Sequence, residues 1–215
     1  KFLEQTFGQF LAGEVVDQLL KSADGIDFSG KKTTVTVLMS DLRGFSTLSD
    51  TLPPENIVAM LNSYLSEMTN VIQKYNGTID AFIGDAILVV FGAPLQRPND
   101  TERALACALE MQQRMTWVNE WNTANGFPEI EMGIGVTPGE VVVGNIGSDK
   151  RAKYSVVGST TNLAARIESY TVGGQILIAG ETRNASKVPL ELGGQRTVEP
   201  KGAGKPLTLH ELVGI

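Results

Sequence analysis

One cysteine and one histidine in 215 residues remove several chemistries at the outset. A lone Cys107 leaves no intrachain disulfide and no cysteine-rich zinc site. Its neighbours Leu105, Ala108 and Leu109 mark it as a buried helix residue. His210 sits in Leu-Thr-Leu-His-Glu-Leu, which alternates like an edge strand, a poor place for the base of a nucleophilic triad. Basic charge is also scarce. A net charge of −6 and 18 Lys plus Arg against 24 Asp plus Glu provide no basic footprint for nucleic acid. The longest apolar run, Ala86 to Ala93, is too short to span a bilayer, and residues 1–20 carry acids where a signal peptide would not. What remains is the composition of a soluble globular domain long enough to bury a core, expected in the cytoplasm whether or not the full-length protein is membrane-attached. The chain begins at Lys1, as expected of a piece cut from a longer protein that carries membrane segments or sensor modules besides.

Two aspartates stand out. Asp41 ends the strand-like run Val-Thr-Val-Leu-Met-Ser, and Asp85 lies in Ile-Asp-Ala-Phe-Ile-Gly-Asp-Ala-Ile-Leu-Val-Val-Phe. The β-branched content of residues 33–40 predicts a buried strand. Gly84-Asp85 predicts the tight turn of a hairpin over 78–91. Either aspartate alone is ordinary turn chemistry. Together, at the ends of neighbouring strands, they can converge on a hard divalent cation and support two-metal chemistry on a phosphate ester.

The remaining pattern places these strands in a fold. Residues 1–32 predict a connector helix and a polar loop, and residues 33–215 the catalytic domain. Pro53-Pro54 open a helix whose Ile57, Met60, Leu61, Tyr64, Leu65, Met68, Val71 and Ile72 fall on one stripe, ending at Asn76-Gly77. A second helix is predicted from Asp100 to Trp121. Strands follow at Glu131–Thr137, Glu140–Asn145 and Tyr154–Val157, then a helix from Ser159 to Tyr170 and a strand at Gln175–Ile178. The order predicts an α+β fold with a ferredoxin-like βαββαβ core, helices covering one face of a mainly antiparallel sheet.

Glycine-rich segments fail as nucleotide fingerprints. Gly133-Ile-Gly135 lacks a third glycine, and Gly204-Lys205 is followed by Pro206. Asp41-Leu-Arg-Gly44-Phe-Ser is more useful, because its glycine lets backbone amides approach a polyphosphate. Asn162 and Arg166 lie one helical turn apart and project from one face, suiting a phosphoryl group or a ribose edge. The ordinary alternative is a solvated helix face, with Glu168 nearby.

Several motifs in order give the chain a resemblance. Ser-Asp41-Leu-Arg-Gly-Phe, Phe-Ile-Gly-Asp85-Ala-Ile, the Gly-Glu-Val-Val-Val-Gly-Asn-Ile-Gly run at 139–147 and Val-Gly-x-x-x-Asn162-Leu-Ala-Ala-Arg166-Ile-Glu-Ser resemble the class III nucleotidyl cyclases, adenylyl and guanylyl. The entry, Phe7 to Asp17, resembles the segment that joins bacterial cyclases to sensors. The resemblance implies a homodimer converting GTP or ATP to the 3′,5′-cyclic monophosphate and pyrophosphate. It implies two magnesium or manganese ions held by Asp41, Asp85 and the Leu42 carbonyl, with backbone near Phe45 against the β- and γ-phosphates. Arg166 would stabilise charge on the α-phosphate, Asn162 would orient the ribose, and Lys201 would meet the terminal phosphate.

Two base-reading positions depart from the family pattern. Ala81 stands where the resemblance implies lysine in adenylyl and glutamate in guanylyl cyclases, and Ser155 replaces its partner. A serine hydroxyl donates or accepts, while alanine does neither. The context around Ala81 is more like members with glutamate, so the reading leans to GTP with weakened selectivity. Two alternatives stand beside it: a catalytically silent nucleotide-binding relay and a polymerase-like palm, the latter opposed by the acidic composition.

Overall fold

The strand that carries Asp41 runs through the middle of the sheet. In this computed structural model, which describes residues 30–148, 151–199 and 206–215, β1 spans Lys31–Leu42. Residues 1–29 of the expected connector and Lys201 lie outside the described residues, while Lys31 and Lys32, expected at the connector's end, already belong to β1. A short helix α1 (Phe45–Ser49) and the long α2 (Pro54–Lys74) follow. The chain then makes β2 (Thr78–Ile83), β3 (Ala86–Phe91), α3 (Asp100–Ala124) and β4 (Met132–Ser148). Next come β5 (Arg151–Val157), α4 (Ser159–Ser169), β6 (Ile176–Ala179) and α5 (Gly180–Ala185). Strands β7 (Glu191–Val198) and β8 (Leu207–Gly214) complete the sheet.

The strands are ordered β2-β3-β1-β4-β6-β8-β7, with β5 paired to β4. The first four form the antiparallel ferredoxin-like core, and among the described residues only β4 and β6 pair in parallel. The predicted stripe of α2 buries Met60, Tyr64 and Met68 against Leu105, Met111 and Met115 of α3 and one face of the sheet. Cys107 is fully buried there. The opposite face, with Val35, Val37, Leu88 and Val90, receives Ala164 of α4. Helices therefore flank both faces, where the sequence predicted one.

Two further expectations change, and the predicted hairpin carries an irregularity. The strands predicted at 131–137 and 140–145 are one continuous β4. Pro138 pairs with Thr36 of β1, while on the other edge β6 stops at Val136 and β5 begins at Val142. A proline without a donor is tolerated where a second ladder is interrupted. His210 is not on an edge, because β8 lies between β6 and β7. Finally, β2 carries a bulge between Ile79 and Ala81. Ile79 packs toward α2 and α3, whereas Ala81 packs with the opposite cluster. The extra residue, Asp80, breaks the alternation that would have put both on one face.

Candidate active site

Strands β1 and β3 pair antiparallel with Ser40 opposite Ile87. Asp41, one residue beyond Ser40, and Asp85, just before β3, therefore meet at the same end of the sheet. The β2–β3 connection is the predicted two-residue turn, Ile83 opposite Ala86, with Gly84 at φ 65°, a conformation easy only for glycine. The carboxyl groups are close enough to share a hydrogen bond. Burial, then the Asp85 charge and that hydrogen bond, push the Asp41 carboxyl up to about 6. Arg43 and the Leu42 backbone oppose the shift. Beneath the pair lies fully buried Tyr64, whose hydroxyl donates to Met132 Sδ at 3.3 Å and lies 3.5 Å from Ser40 Oγ.

Two crowded carboxyl groups, one with its proton affinity raised by the other, form a donor set whose repulsion a divalent cation would relieve. Among the described residues no cluster of three His, Cys, Asp or Glu forms. That suits magnesium or manganese, which take one or two carboxylates and draw further oxygens from water and substrate phosphates. The residues fit the metals implied by the sequence. Leu42 buries its side chain and pairs with Met132, so only its backbone is available to an ion. Phe45 is likewise buried at the start of α1, which leaves its main chain to face a ligand.

A second polar cluster lies at residues 80–81 and 153–156. Ser155 Oγ donates to Asp80 Oδ1 at 2.7 Å, and the Val156 N–H donates to the same oxygen at 3.2 Å. Lys153 Nζ reaches the Asp80 backbone oxygen and lies 3.5 Å from its Oδ2. Ala81 is partly exposed beside this knot, packed against the cluster that includes Val156. The Ser155 proton is thus committed to a carboxylate that can only accept. What Ser155 offers a ligand is lone pairs, so the ambiguity of its hydroxyl disappears. Sequence reasoning missed Asp80, although a bulge in an otherwise regular strand is a common device near functional sites.

Asn162 and Arg166 lie on α4, exposed and half-buried respectively. Among the described residues, no hydrogen bond or ion pair joins either to Asp41, Asp85, Ala81 or Ser155. One chain therefore brings together the aspartates and, separately, the Asp80–Ser155 knot, but does not couple α4's polar face to either. Glu168 is not on a solvated face: its side chain is 7% exposed and touches Arg43. The signal was present in the spacing, because Ala164, Ile167 and Glu168 share one helical stripe.

Comparison with known proteins places this arrangement. Residues 29–211 match the family model described as the adenylate and guanylate cyclase catalytic domain. The chain belongs to the class III nucleotidyl cyclases. It is 30% identical over 212 residues to adenylate cyclase 1 of Rhizobium meliloti, covering 98% of this chain and 32% of that protein. The chain thus spans about a third of this curated relative's length. A solved guanylyl cyclase is similar at TM-score 0.85 and 49% identity, covering 86% of this chain and 94% of that one. The adenylyl cyclase CyaB from P. aeruginosa is similar at TM-score 0.83 and 34% identity, covering 86% and 96%. This cyclase domain is accordingly a phosphorus–oxygen lyase, with relatives named for both purines. No described helix is long and apolar enough to cross a membrane.

Proposed function

We propose that the domain converts a purine nucleoside triphosphate, with GTP favoured over ATP, to the 3′,5′-cyclic monophosphate and pyrophosphate at sites shared between two copies of the chain. The observation that carries this reading is the convergence of Asp41 and Asp85 at adjacent strand ends, with Asp41 raised to about 6. Two divalent cations there would neutralise polyphosphate charge and acidify the ribose 3′-hydroxyl. Asp41, Asp85 and the Leu42 carbonyl would hold them, with backbone near Phe45 along the β- and γ-phosphates. Arg166 would stabilise charge on the α-phosphate, Asn162 would orient the ribose, and Lys201 would meet the terminal phosphate. Because attack is intramolecular, holding hydroxyl and α-phosphate in line is a large part of the catalysis.

A shared site is supported by the separation within one chain of α4's polar face from the aspartates. A two-fold dimer then forms two equivalent sites, each taking metals from one copy and α4 from the other. The residues that precede β1 are read as the connector from an upstream sensor. The preference for GTP is supported by the pocket's chemistry. Asp80 takes the Ser155 proton, so Ser155 presents lone pairs, which match the N1–H and 2-amino donors of guanine and oppose the N1 acceptor of adenine. Ala81 contributes nothing, so selectivity is weak.

Incubation with GTP or ATP plus manganese, with products separated chromatographically, tests the reading. A cyclic monophosphate that disappears on chelation is expected. Nucleotide binding without turnover in folded dimeric protein would support a silent relay instead, and a polymer or dinucleotide would support a palm.

A further inference from the structure

We propose that Arg43 and Glu168 form a positioning bridge that fixes the metal-binding loop and the catalytic helix α4 to one frame, so that each chain's bridge serves two active sites. The proposal rests on the shared-site reading above. Arg43 follows Asp41 by two residues, and its backbone N–H donates to the Glu131 carbonyl at 2.7 Å. Its guanidinium lies 3.8 Å from Asp41 Oδ2 and in direct contact with the Glu168 carboxylate. Both side chains are largely withdrawn from water, 25% and 7% exposed.

The helix geometry gives Glu168 a different task from its neighbours. At about 100° per residue, Arg166 falls roughly 40° from Asn162, whereas Glu168 falls roughly 160° from Arg166. The first two share a polar face. Glu168 points the other way, into the sheet.

The sheet is built to let the pair meet. Gly133 lies opposite Asp41 in the β1–β4 register. A Cβ there would collide with the Thr171 hydroxyl and come within 3.1 Å of Arg43 Nη2. At Gly135 a Cβ would lie 2.5 Å from the Glu168 nitrogen and 2.7 Å from the Ala164 oxygen. The Gly133-Ile-Gly135 motif, of no use as a nucleotide fingerprint, clears the strand surface so that Arg43 can cross it and α4 can lie on it. A buried ion pair adds little net stability over apolar packing, so the role assigned to this one is to fix relative orientation. The loop it anchors supplies the metals of one site. The helix it anchors supplies Asn162 and Arg166 to the other.

A dimer with a single working site separates the two duties. Mixing Arg166→Ala chains with Asp41→Ala chains yields heterodimers whose working site takes its metals from the first chain and α4 from the second. Glu168→Gln is then placed in one chain at a time. In the metal-donating chain it releases Arg43 to compete with the cation at Asp41. The manganese needed for half-maximal rate should rise about tenfold, with kcat at saturating metal changed less than twofold. In the helix-donating chain kcat should fall about tenfold with the manganese requirement unchanged. Arg43→Lys, which keeps the charge but loses the fork, should shift both in the same directions by less, and carries the test if Glu168→Gln does not fold. Neither parameter moving from either placement would overturn the proposal, as would equal losses of kcat from both placements that track thermal stability. If the parental mixture exchanges subunits yet stays inactive, the shared-site reading fails by itself. Homodimeric Glu168→Gln must then show both effects together, and otherwise the bridge fails too.

Discussion

The two ends of the candidate site are opposites in how their polar groups are satisfied. At the end proposed for metal, Asp41 and Asp85 crowd like charge together, and Asp41 gives up its proton only near pH 6, well above an ordinary aspartate. At the base end, Asp80 has gathered donors from Ser155, Val156 and Lys153 within its own chain. The first arrangement is incomplete and calls for a cation. The second is complete, and what it offers a base is already fixed. Affinity for metal should therefore respond steeply to mutation, whereas base preference should respond in modest steps.

The sharpest break is to remove charge from the incomplete end. Asp41→Asn or Asp85→Asn should abolish cyclic nucleotide formation while leaving the fold intact, as judged by circular dichroism and thermal melting. Each change deletes an anionic oxygen needed beside polyphosphate but relieves repulsion in the metal-free protein. Retention of most activity in either variant would remove the metal assignment. Next in size is complementation. Asp41→Ala and Arg166→Ala homodimers should each be inactive. Mixed at equal concentration under subunit exchange, they should recover up to roughly a quarter of parental activity, because half the dimers are mixed and each has one intact site. No recovery with exchange demonstrated would place complete sites within single chains.

Changes at the base end should be smaller. Ala81→Glu adds an acceptor for guanine, and Ala81→Lys a donor for adenine N1. Each should shift the ratio of kcat/KM for GTP over ATP by about tenfold, upward and downward respectively, as expected for pairing or stranding one polar group. A ratio unmoved by Ala81→Glu would mean that position 81 does not read the base. Asp80→Asn is gentler still. It replaces a carboxylate that can only accept with an amide that can also donate, which frees the Ser155 hydroxyl from its fixed role, so the GTP preference should weaken by about two- to fivefold, and an unchanged ratio would separate the knot from the base.

The smallest effect is in pH. Asp41 is raised from 3.8 to about 6, so the folded metal-free protein binds this proton more tightly than the unfolded chain does. The stabilisation is fully present below about pH 4 and is lost as pH rises through about 6. Melts in chelator should show this component in the parent and not in Asp41→Asn. Conversely, apparent metal affinity should climb with pH to about 6 and level off above it, because the cation must displace the proton.

Legibility in the sequence followed the range of the interactions involved. The Asp41 strand, the stripe of α2 and the Gly84-Asp85 turn were readable because each is encoded by consecutive residues or a single period. The order of the first four strands followed from their connections. The Asp80 knot was not readable, because a bulge redirects one side chain without altering composition, and Ser155 is 75 positions away. Glu168 was misread for a related reason. A carboxylate on a helix is normally solvated, and its partner Arg43 reaches it only where two glycines of a third element stand aside. The His210 strand alternates as an edge strand would, yet β7 covers its outer side, a long-range pairing that its own residues do not specify.

The two-residue length of the β2–β3 turn has a consequence for how this domain can diversify. Asp85 is half of that turn, and the strands on either side are in register up to Ile83 and Ala86. One inserted residue would lengthen the loop and carry the carboxylate away from Asp41. A lineage, or an engineer seeking a fusion point, thus has no freedom of length at this tip. Residues 92–99 join β3 to α3 without regular structure; extra chain would have to enter near the exposed Pro98 and Asn99, because Gly92 and Ala93 are buried and Ala93 accepts from Thr78 Oγ1.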